Sequence, residues 1–299
     1  MAKNSSSKTV FLALTVNLFI GLIKSIVAVI TTSSAMFSEA VHSFVDSFNQ
    51  FLLWFGIKQS NKKSSRLYPF GRGKEEYFWT LVVAILIFTI GGLVSLEHGI
   101  DALNHPGVLK SLQISISILS ISVILESYVL LKAIKELKKN KSESSILQLL
   151  KKSNDGPLIA IVVEDFAATL GLIIALIGTL LSYFFENSIY DAIASILIGI
   201  LLMISGLFLG NEMKHLIIGE SSSKEIKSVL KKFLIGFDEI LKVDEIKVIS
   251  IGNSKFLGIA KVDYMDEMSD LEIVNLNDKI LNELKKVDDR YSLLYLVPA

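Results

Sequence analysis

Long apolar runs divide most of this chain into segments that could each cross a membrane. A spanning helix needs about 20 mostly apolar residues. Six segments meet this length: roughly 9–31, 34–57, 77–99, 111–135, 157–183 and 189–210. The first follows "MAKNSSSKTV" without a small-residue cleavage site, so we expect a retained transmembrane helix rather than a signal peptide. The pattern predicts an α-helical membrane protein with a six-helix transmembrane domain over residues 1–215.

After about residue 220 the hydrophobic pattern changes to that of a small soluble domain. Amphipathic helices and short strands are predicted in the order αββαβ, over 221–237, 243–252, 255–265, 269–287 and 291–297. A turn that contains Gly252 separates the first two strands. This order is typical of a small open-faced sandwich. We therefore predict an α+β domain over residues 216–299.

Lysine and arginine are distributed unevenly between the loops. The loop between the second and third predicted spans holds six of them, and seven more lie from Lys132, near the end of the fourth span, to Lys152, before the fifth. The loops on the opposite side hold one, Lys110. Because basic residues collect on the cytoplasmic side of membrane proteins, both termini and the α+β domain are predicted to be cytoplasmic. We expect an integral protein of a bacterial or archaeal cell membrane.

Composition supports the membrane class and narrows the chemistry. Hydrophobic residues make up 51% of the 299 residues and the mean hydropathy is +0.54, values too apolar for an ordinary soluble domain. The net charge is zero, so nucleic-acid binding driven by bulk charge receives no support. The absence of cysteine excludes disulfides, thiolate metal sites and cysteine nucleophiles.

The second predicted span carries a stripe of polar residues. Glu39, His42, Asp46 and Asn49 are spaced i, i+3, i+7 and i+10, so one face of a helix presents them all. His42 and Asp46, at i and i+4, could together bind one divalent ion, or they could form a buried hydrogen-bonded pair that fixes helix packing. Because ionisable groups are costly in a membrane, the extended stripe favours the metal site.

The fifth predicted span offers a second set of ligands. Glu164 and Asp165 lie in its first third and are followed by the small residues Ala167, Ala168 and Gly171. Small residues let two helices approach closely, as a site shared by the second and fifth spans requires.

Other polar residues in the spans have plainer explanations. Lys24 is expected either to snorkel to the membrane surface or to pair with an acidic residue. Glu126 could form a structural pair with another helix or take part in a proton pathway. Asp191, at the start of the sixth span, is predicted to be its N-cap.

Several sequence blocks together resemble the cation diffusion facilitator family of divalent-metal/proton antiporters. These blocks are "SEAVHSFVD" on the second span, "YPFGRGKEEYFW" at 68–79 and "NEMKHLIIGESSS" at 211–223. The resemblance extends over essentially the whole chain. "HSFVDSFNQ", "GKEEYFW" and "VVEDFAATLGL" are most similar to the branch of the family around zinc transporter nine.

The resemblance implies a set of metal ligands, with one departure. The family's motif on the second span corresponds to His42 and Asp46, and Asp165 matches the final aspartate of its motif on the fifth span. The first position of that second motif is Ile161, so Glu164 is our candidate substitute, with Asn49 or a water as the alternative. One imidazole with three carboxylates is a harder ligand set than two imidazoles with two carboxylates, so Zn²⁺ is the expected ion but Mn²⁺, Fe²⁺ and Co²⁺ stay open.

The implied function is efflux of a divalent cation in exchange for protons by alternating access, in a homodimer and without enzymatic activity or a cofactor. Glu39 and Asn49 would lie along the ion pathway or support the ligands. No histidine follows His215, so we expect the cytoplasmic domain to dimerise and to bind metal weakly or not at all. A membrane metal sensor or scaffold that does not transport is the alternative, since the position of Ile161 lacks a ligand.

Overall fold

The computed structural model describes residues 18–138, 145–151, 153–220, 224–252, 255–288 and 290–299. The helices of the membrane part are α1 (Leu18–Thr31), α2 (Ser34–Ser60), α3 (Glu75–Asn104), α4 (Leu112–Lys138), a short α5 (Ile146–Lys151), α6 (Gly156–Phe185) and α7 (Ile189–Ile218). The fifth and sixth predicted spans are thus α6 and α7. Residues 9–17 of the first predicted span lie outside the described residues.

By length and apolar composition, α3, α4, α6 and α7 can each cross a membrane. The polar stripe interrupts the apolar character of α2, and α1 is short within the described residues. α7 extends to Ile218, past the predicted end of its span near residue 210. The six predicted helices therefore all occur at the expected places in the described part of the chain.

Short polar residues set where α2 and α6 begin. The side chain of Ser33 accepts a hydrogen bond from the backbone nitrogen of Met36 at 3.0 Å and so caps the start of α2. Asp155 accepts from the backbone nitrogen of Leu158 at 3.0 Å in the same way, with Pro157 in the first turn of α6. These caps fix the registers from which the polar residues of both helices project.

Close backbone contact holds α7 against α3. A Cβ atom added at Gly199 would lie 2.6 Å from the backbone nitrogen of Leu96, so only glycine fits there. Within α3, the segment Ile87–Leu93 is wound more widely, as a π-helix. Such segments shift the face that a helix presents to its neighbours.

The α+β domain has the predicted αββαβ order. Its elements are α8 (Lys224–Ile235), β1 (Ile240–Gly252), β2 (Lys255–Tyr264), α9 (Asp270–Val287) and β3 (Tyr291–Pro298). β2 lies between the other two strands, antiparallel to β1 and parallel to β3. Alternate residues of β2 are buried against Leu230 and Leu234 of α8 and Ile280 of α9, which makes the open-faced sandwich that the pattern predicts.

The two domains touch at the N-terminal end of α3. The hydroxyl groups of Tyr77 and Ser250 are 2.7 Å apart, and Tyr77 also donates to the carbonyl oxygen of Asn154 at 2.8 Å. The backbones of Gly73 and Gly252 approach so closely that neither has room for a Cβ atom. The end of β1 is thereby held against the start of α3.

Candidate metal-transport site

The polar stripe of α2 faces the interior of the helix bundle, as its spacing predicts. Glu39, His42 and Asn49 are buried, and the side chain of Asp46 is 20% exposed. Because buried polar groups normally have partners, the surroundings of each side chain show what the stripe can do.

His42 and Asp46 are in contact but are not hydrogen bonded. Nδ1 of His42 lies 3.4 Å from Oδ1 of Asp46. Both ring nitrogens of His42 and Oδ1 of Asp46 are buried with no hydrogen-bond partner among the described residues. The pair therefore presents unpartnered nitrogen and oxygen atoms on one face of α2, and atoms of these types can bind a cation.

A direct bond joins this stripe to α6. Nδ2 of Asn49 donates a hydrogen bond to Oε1 of Glu164 across the helix interface. The carboxyl groups of Glu164 and Asp46 are also neighbours across this interface. The second and fifth predicted spans thus come together at the level of Asp46 and Glu164, as the sequence leads us to expect.

The residues of α6 around Glu164 differ in how far they are exposed. Asp165 is partly buried, and its Oδ2 has no hydrogen-bond partner within the described residues. Ile161, one helical turn before Asp165, is 40% exposed. Gly171 lies against Glu39, because a Cβ atom there would be 3.0 Å from Oε1 of that residue. The predicted role of small residues in the approach of α2 and α6 is confirmed at this position.

Two further charged residues complete the surroundings. Lys24 of α1 pairs with Glu39 of α2, with 3.3 Å between Nζ and Oε2. Of the two roles considered for Lys24, pairing is the one found. Glu126 of α4 lies within electrostatic reach of Asp46, Glu164 and Asp165. The site is therefore rich in carboxyl groups and has one buried lysine beside it.

The candidate ligands surround one region but do not form a closed set. No group of three or more histidine, aspartate or glutamate side chains in the described ranges is placed to hold a single metal ion. His42 contacts Asp46, and Asp46 in turn neighbours Glu164. The groups would have to move closer together across the α2–α6 interface to share one ion.

Asp191 does not cap its own helix, so that prediction is wrong. Ser188 occupies the N-cap position of α7, and Asp191 is the third residue of the helix. Its carboxylate instead accepts hydrogen bonds from Oγ of Ser33 at 2.7 Å and from the backbone nitrogen of Ala35 at 3.1 Å. It therefore ties the start of α2 to α7, a role that depends on which helix lies beside it.

Two features of the site go beyond the sequence reasoning. The partner of Glu164 is Asn49, and the partner of Lys24 is Glu39. A lysine within an apolar span does signal an acidic partner nearby. It gives no indication of which of the acidic residues on the other spans is the partner.

Comparison with known proteins identifies the family to which the membrane helices belong. A family model of the cation efflux transmembrane domain matches residues 10–215. The chain belongs to the cation efflux family, the cation diffusion facilitators. This confirms the family resemblance of the sequence blocks and the predicted fold class of membrane helices followed by a small α+β domain. The family is one of membrane transporters rather than enzymes.

The relatives of this cation efflux protein include two proteins that are much longer than it and one of similar length. The mitochondrial proton-coupled zinc antiporter SLC30A9 of Xenopus laevis is 32% identical over 96% of this chain and 52% of its own length. Metal tolerance protein C4 of Arabidopsis thaliana is 29% identical over 88% of this chain and 58% of its own length. The chain thus spans little more than half of these relatives. The manganese efflux system protein MneP of Bacillus subtilis is 25% identical over 94% of this chain and 91% of its own length.

Proposed function

We propose that the protein exports a divalent cation from the cytoplasm in exchange for protons, with Zn²⁺ as its main substrate. The observation that carries this proposal is the surplus of buried carboxyl groups between α2, α4 and α6. Acidic side chains within a membrane domain need neutralisation, and either bound protons or a divalent cation can supply it. A site that must hold one or the other can exchange them.

In this proposal the metal ligands are His42, Asp46, Glu164 and Asp165. The support for them is the set of buried, unpartnered atoms on His42, Asp46 and Asp165, and the position of Glu164 next to Asp46. Asn49 orients Glu164 through its hydrogen bond and is the alternative source of a fourth ligand atom. Ligands must be deprotonated to bind metal, so arrival of the ion releases protons and its departure allows them to return.

The choice of metal follows from this ligand set. One imidazole with carboxylates suits Zn²⁺ and also accommodates Mn²⁺, Fe²⁺ and Co²⁺. The relatives named as zinc antiporters support Zn²⁺, and the relative named as a manganese efflux protein keeps Mn²⁺ as the main competitor. Uptake measured metal by metal, in the wild type and in Glu164→Gln, decides between them.

Orientation and assembly are part of the same proposal. The lysine- and arginine-rich loops support cytoplasmic termini in a bacterial or archaeal cell membrane. The cytoplasmic α+β domain is proposed to join two copies into a homodimer. Transport would then carry metal out of the cell while protons move in.

A metal sensor that does not transport is the second candidate. One observation favours it, namely that the described ligands do not form a closed set around one ion. Metal-dependent proton release from reconstituted protein, with no accumulation of metal inside the vesicles, would identify a sensor.

The test is uptake of Zn²⁺ into proteoliposomes with an imposed proton gradient. We expect His42→Ala and Asp46→Ala to abolish uptake while the protein remains folded. His105 and Asp101 supply a matched control, because they have the same side chains and the same four-residue separation but are 80% and 70% exposed. Alanine at either control position should leave uptake unchanged. Normal uptake by both His42→Ala and Asp46→Ala would refute the proposed site.

A further inference from the structure

Lys24 is the only buried lysine or arginine in the part of the chain that the structure describes, at 2% exposure. A lysine inside a membrane domain is costly unless it is paired. Its Nζ lies 3.3 Å from Oε2 of Glu39 and 3.0 Å from Oγ of Ser43, so α2 supplies both partners. The ammonium group is therefore held inside the protein rather than extended to the membrane surface.

Glu39 uses only one of its oxygens in this pair. Its Oε1 is buried without a hydrogen-bond partner among the described residues and lies beside Gly171 of α6. Glu39 is also one helical turn from His42 on the same face of α2. It has the chemistry and the position of a further metal ligand, except that Lys24 is bound to it.

The charge of Lys24 also reaches the rest of the site. The ammonium group interacts electrostatically with Asp46 and with Glu126 of α4. A fixed positive charge at this place opposes a metal ion bound between His42 and Asp46. It also offsets part of the negative charge that the carboxyl groups would otherwise accumulate.

We infer that Lys24 is a built-in counterion that occupies Glu39 and so keeps this carboxylate from joining the ligands of the transported ion. The inference rests on the proposed function. Since a transporter must release its ion as well as bind it, one carboxylate ligand too many would hold the ion too tightly. Lys24 thus sets the metal affinity at a level that permits release, and it acts through Glu39 rather than by touching the ion.

A double-mutant cycle on Lys24 and Glu39 tests this inference in the full-length protein. In proteoliposomes we expect Lys24→Met to lower the half-saturating Zn²⁺ concentration by about tenfold and to lower the maximal rate as well. Tenfold is the size of effect typical of residues that contact metal ligands without touching the metal. Glu39→Gln should raise the half-saturating concentration, because it leaves the lysine charge uncompensated. The double variant should return close to the wild-type value, since it removes both charges.

A purely structural ion pair gives a different pattern. In that case each single substitution lowers the melting temperature, the double variant recovers it, and the half-saturating Zn²⁺ concentration is the same in every folded variant. This result would overturn the inference. If Lys24→Met does not fold, Lys24→Gln takes its place, because glutamine keeps a hydrogen-bond donor near Glu39 and Ser43 but removes the positive charge. A folded Lys24→Gln protein with the half-saturating Zn²⁺ concentration of the wild type would overturn the inference.

Two controls separate this test from that of the proposed function. Lys110→Met removes an exposed lysine from a loop and should change neither affinity nor rate. Absence of transport and of Zn²⁺ binding in the wild type would refute the proposed function itself. Transport by the wild type, with unchanged Zn²⁺ affinity across the cycle, would refute only the role of Lys24.

Discussion

The bond between Asn49 and Glu164 is a direct link between α2 and α6 at the candidate site, and Asn49→Leu removes it while keeping the number and branching of the side-chain heavy atoms. Asn49 is fully buried and Glu164 is 6% exposed, so bulk water cannot readily replace the lost donor. Glu164 would keep its place in α6 but lose the group that orients its carboxylate. We expect the substitution to weaken metal binding far more than it weakens the fold.

The size of the effect follows from the type of bond. A hydrogen bond to a charged group contributes about 1.5–3 kcal/mol, which corresponds to roughly 10- to 150-fold in affinity. Loss of a group that orients a metal ligand typically costs about 10- to 100-fold, so the two ranges agree. Neutral hydrogen bonds between membrane helices average only about 0.6 kcal/mol, roughly threefold. A change of tenfold or more therefore indicates that Glu164 acts as a carboxylate.

The measurement is the half-saturating Zn²⁺ concentration for uptake into proteoliposomes, together with the melting temperature in detergent. Asn104→Leu is the matched control, because it makes the same exchange at an exposed position at the end of α3. We expect at least a tenfold increase for Asn49→Leu and no change for the control. A folded Asn49→Leu protein whose half-saturating concentration stays within threefold of the wild type would refute the role of Asn49 and weaken the assignment of Glu164 as a ligand.

Two further predictions concern stability. Asp191→Leu should lower the free energy of unfolding by at least about 2 kcal/mol, because it leaves the buried donors at Ser33 and at the start of α2 without an acceptor. Thermal unfolding in detergent measures the change, with Asp101→Leu at an exposed position as the control. Equal melting temperatures for Asp191→Leu and the wild type would contradict the prediction. In the α+β domain, hydrogen bonds from the backbone and side chain of Ser269 hold the pKa of Glu272 below its usual value. A carboxyl group whose pKa is lower in the folded than in the unfolded protein stabilises the fold at pH values above its unfolded-state pKa. This stability is lost as the pH falls through the folded-state pKa. Amide protection in α9, corrected for intrinsic exchange, should therefore decrease below about pH 4.5 in the wild type but not in Glu272→Gln. Identical pH profiles for the two proteins would exclude this contribution.

The sequence by itself determines the elements of this protein. Apolar runs about 20 residues long and the alternation of the last 80 or so residues predict six helices and the αββαβ domain, and both occur in the described structure. The capping box of Ser269 and Glu272 at the start of α9 is equally local. These features depend on neighbours within a few residues along the chain, which a single sequence displays directly.

The face of the candidate site on α2 is also determined locally. The spacing of His42 and Asp46 places them one helical turn apart on one side of any α-helix, and the structure buries that side. The approach of α6 at Gly171 is favoured by its small side chain but is fixed only by the packing of the bundle.

Tertiary structure alone decides which polar groups on different helices become partners. Asn49 and Glu164 are 115 residues apart along the chain, and Lys24 and Glu39 are 15 residues apart on successive helices. Asp191 binds the start of α2, although its sequence position indicates a cap for its own helix. Each of these bonds depends on how neighbouring helices are rotated and shifted along their axes. The rotations and shifts of the helices are set by close packing across the whole bundle, and the local pattern of residues does not reveal that packing.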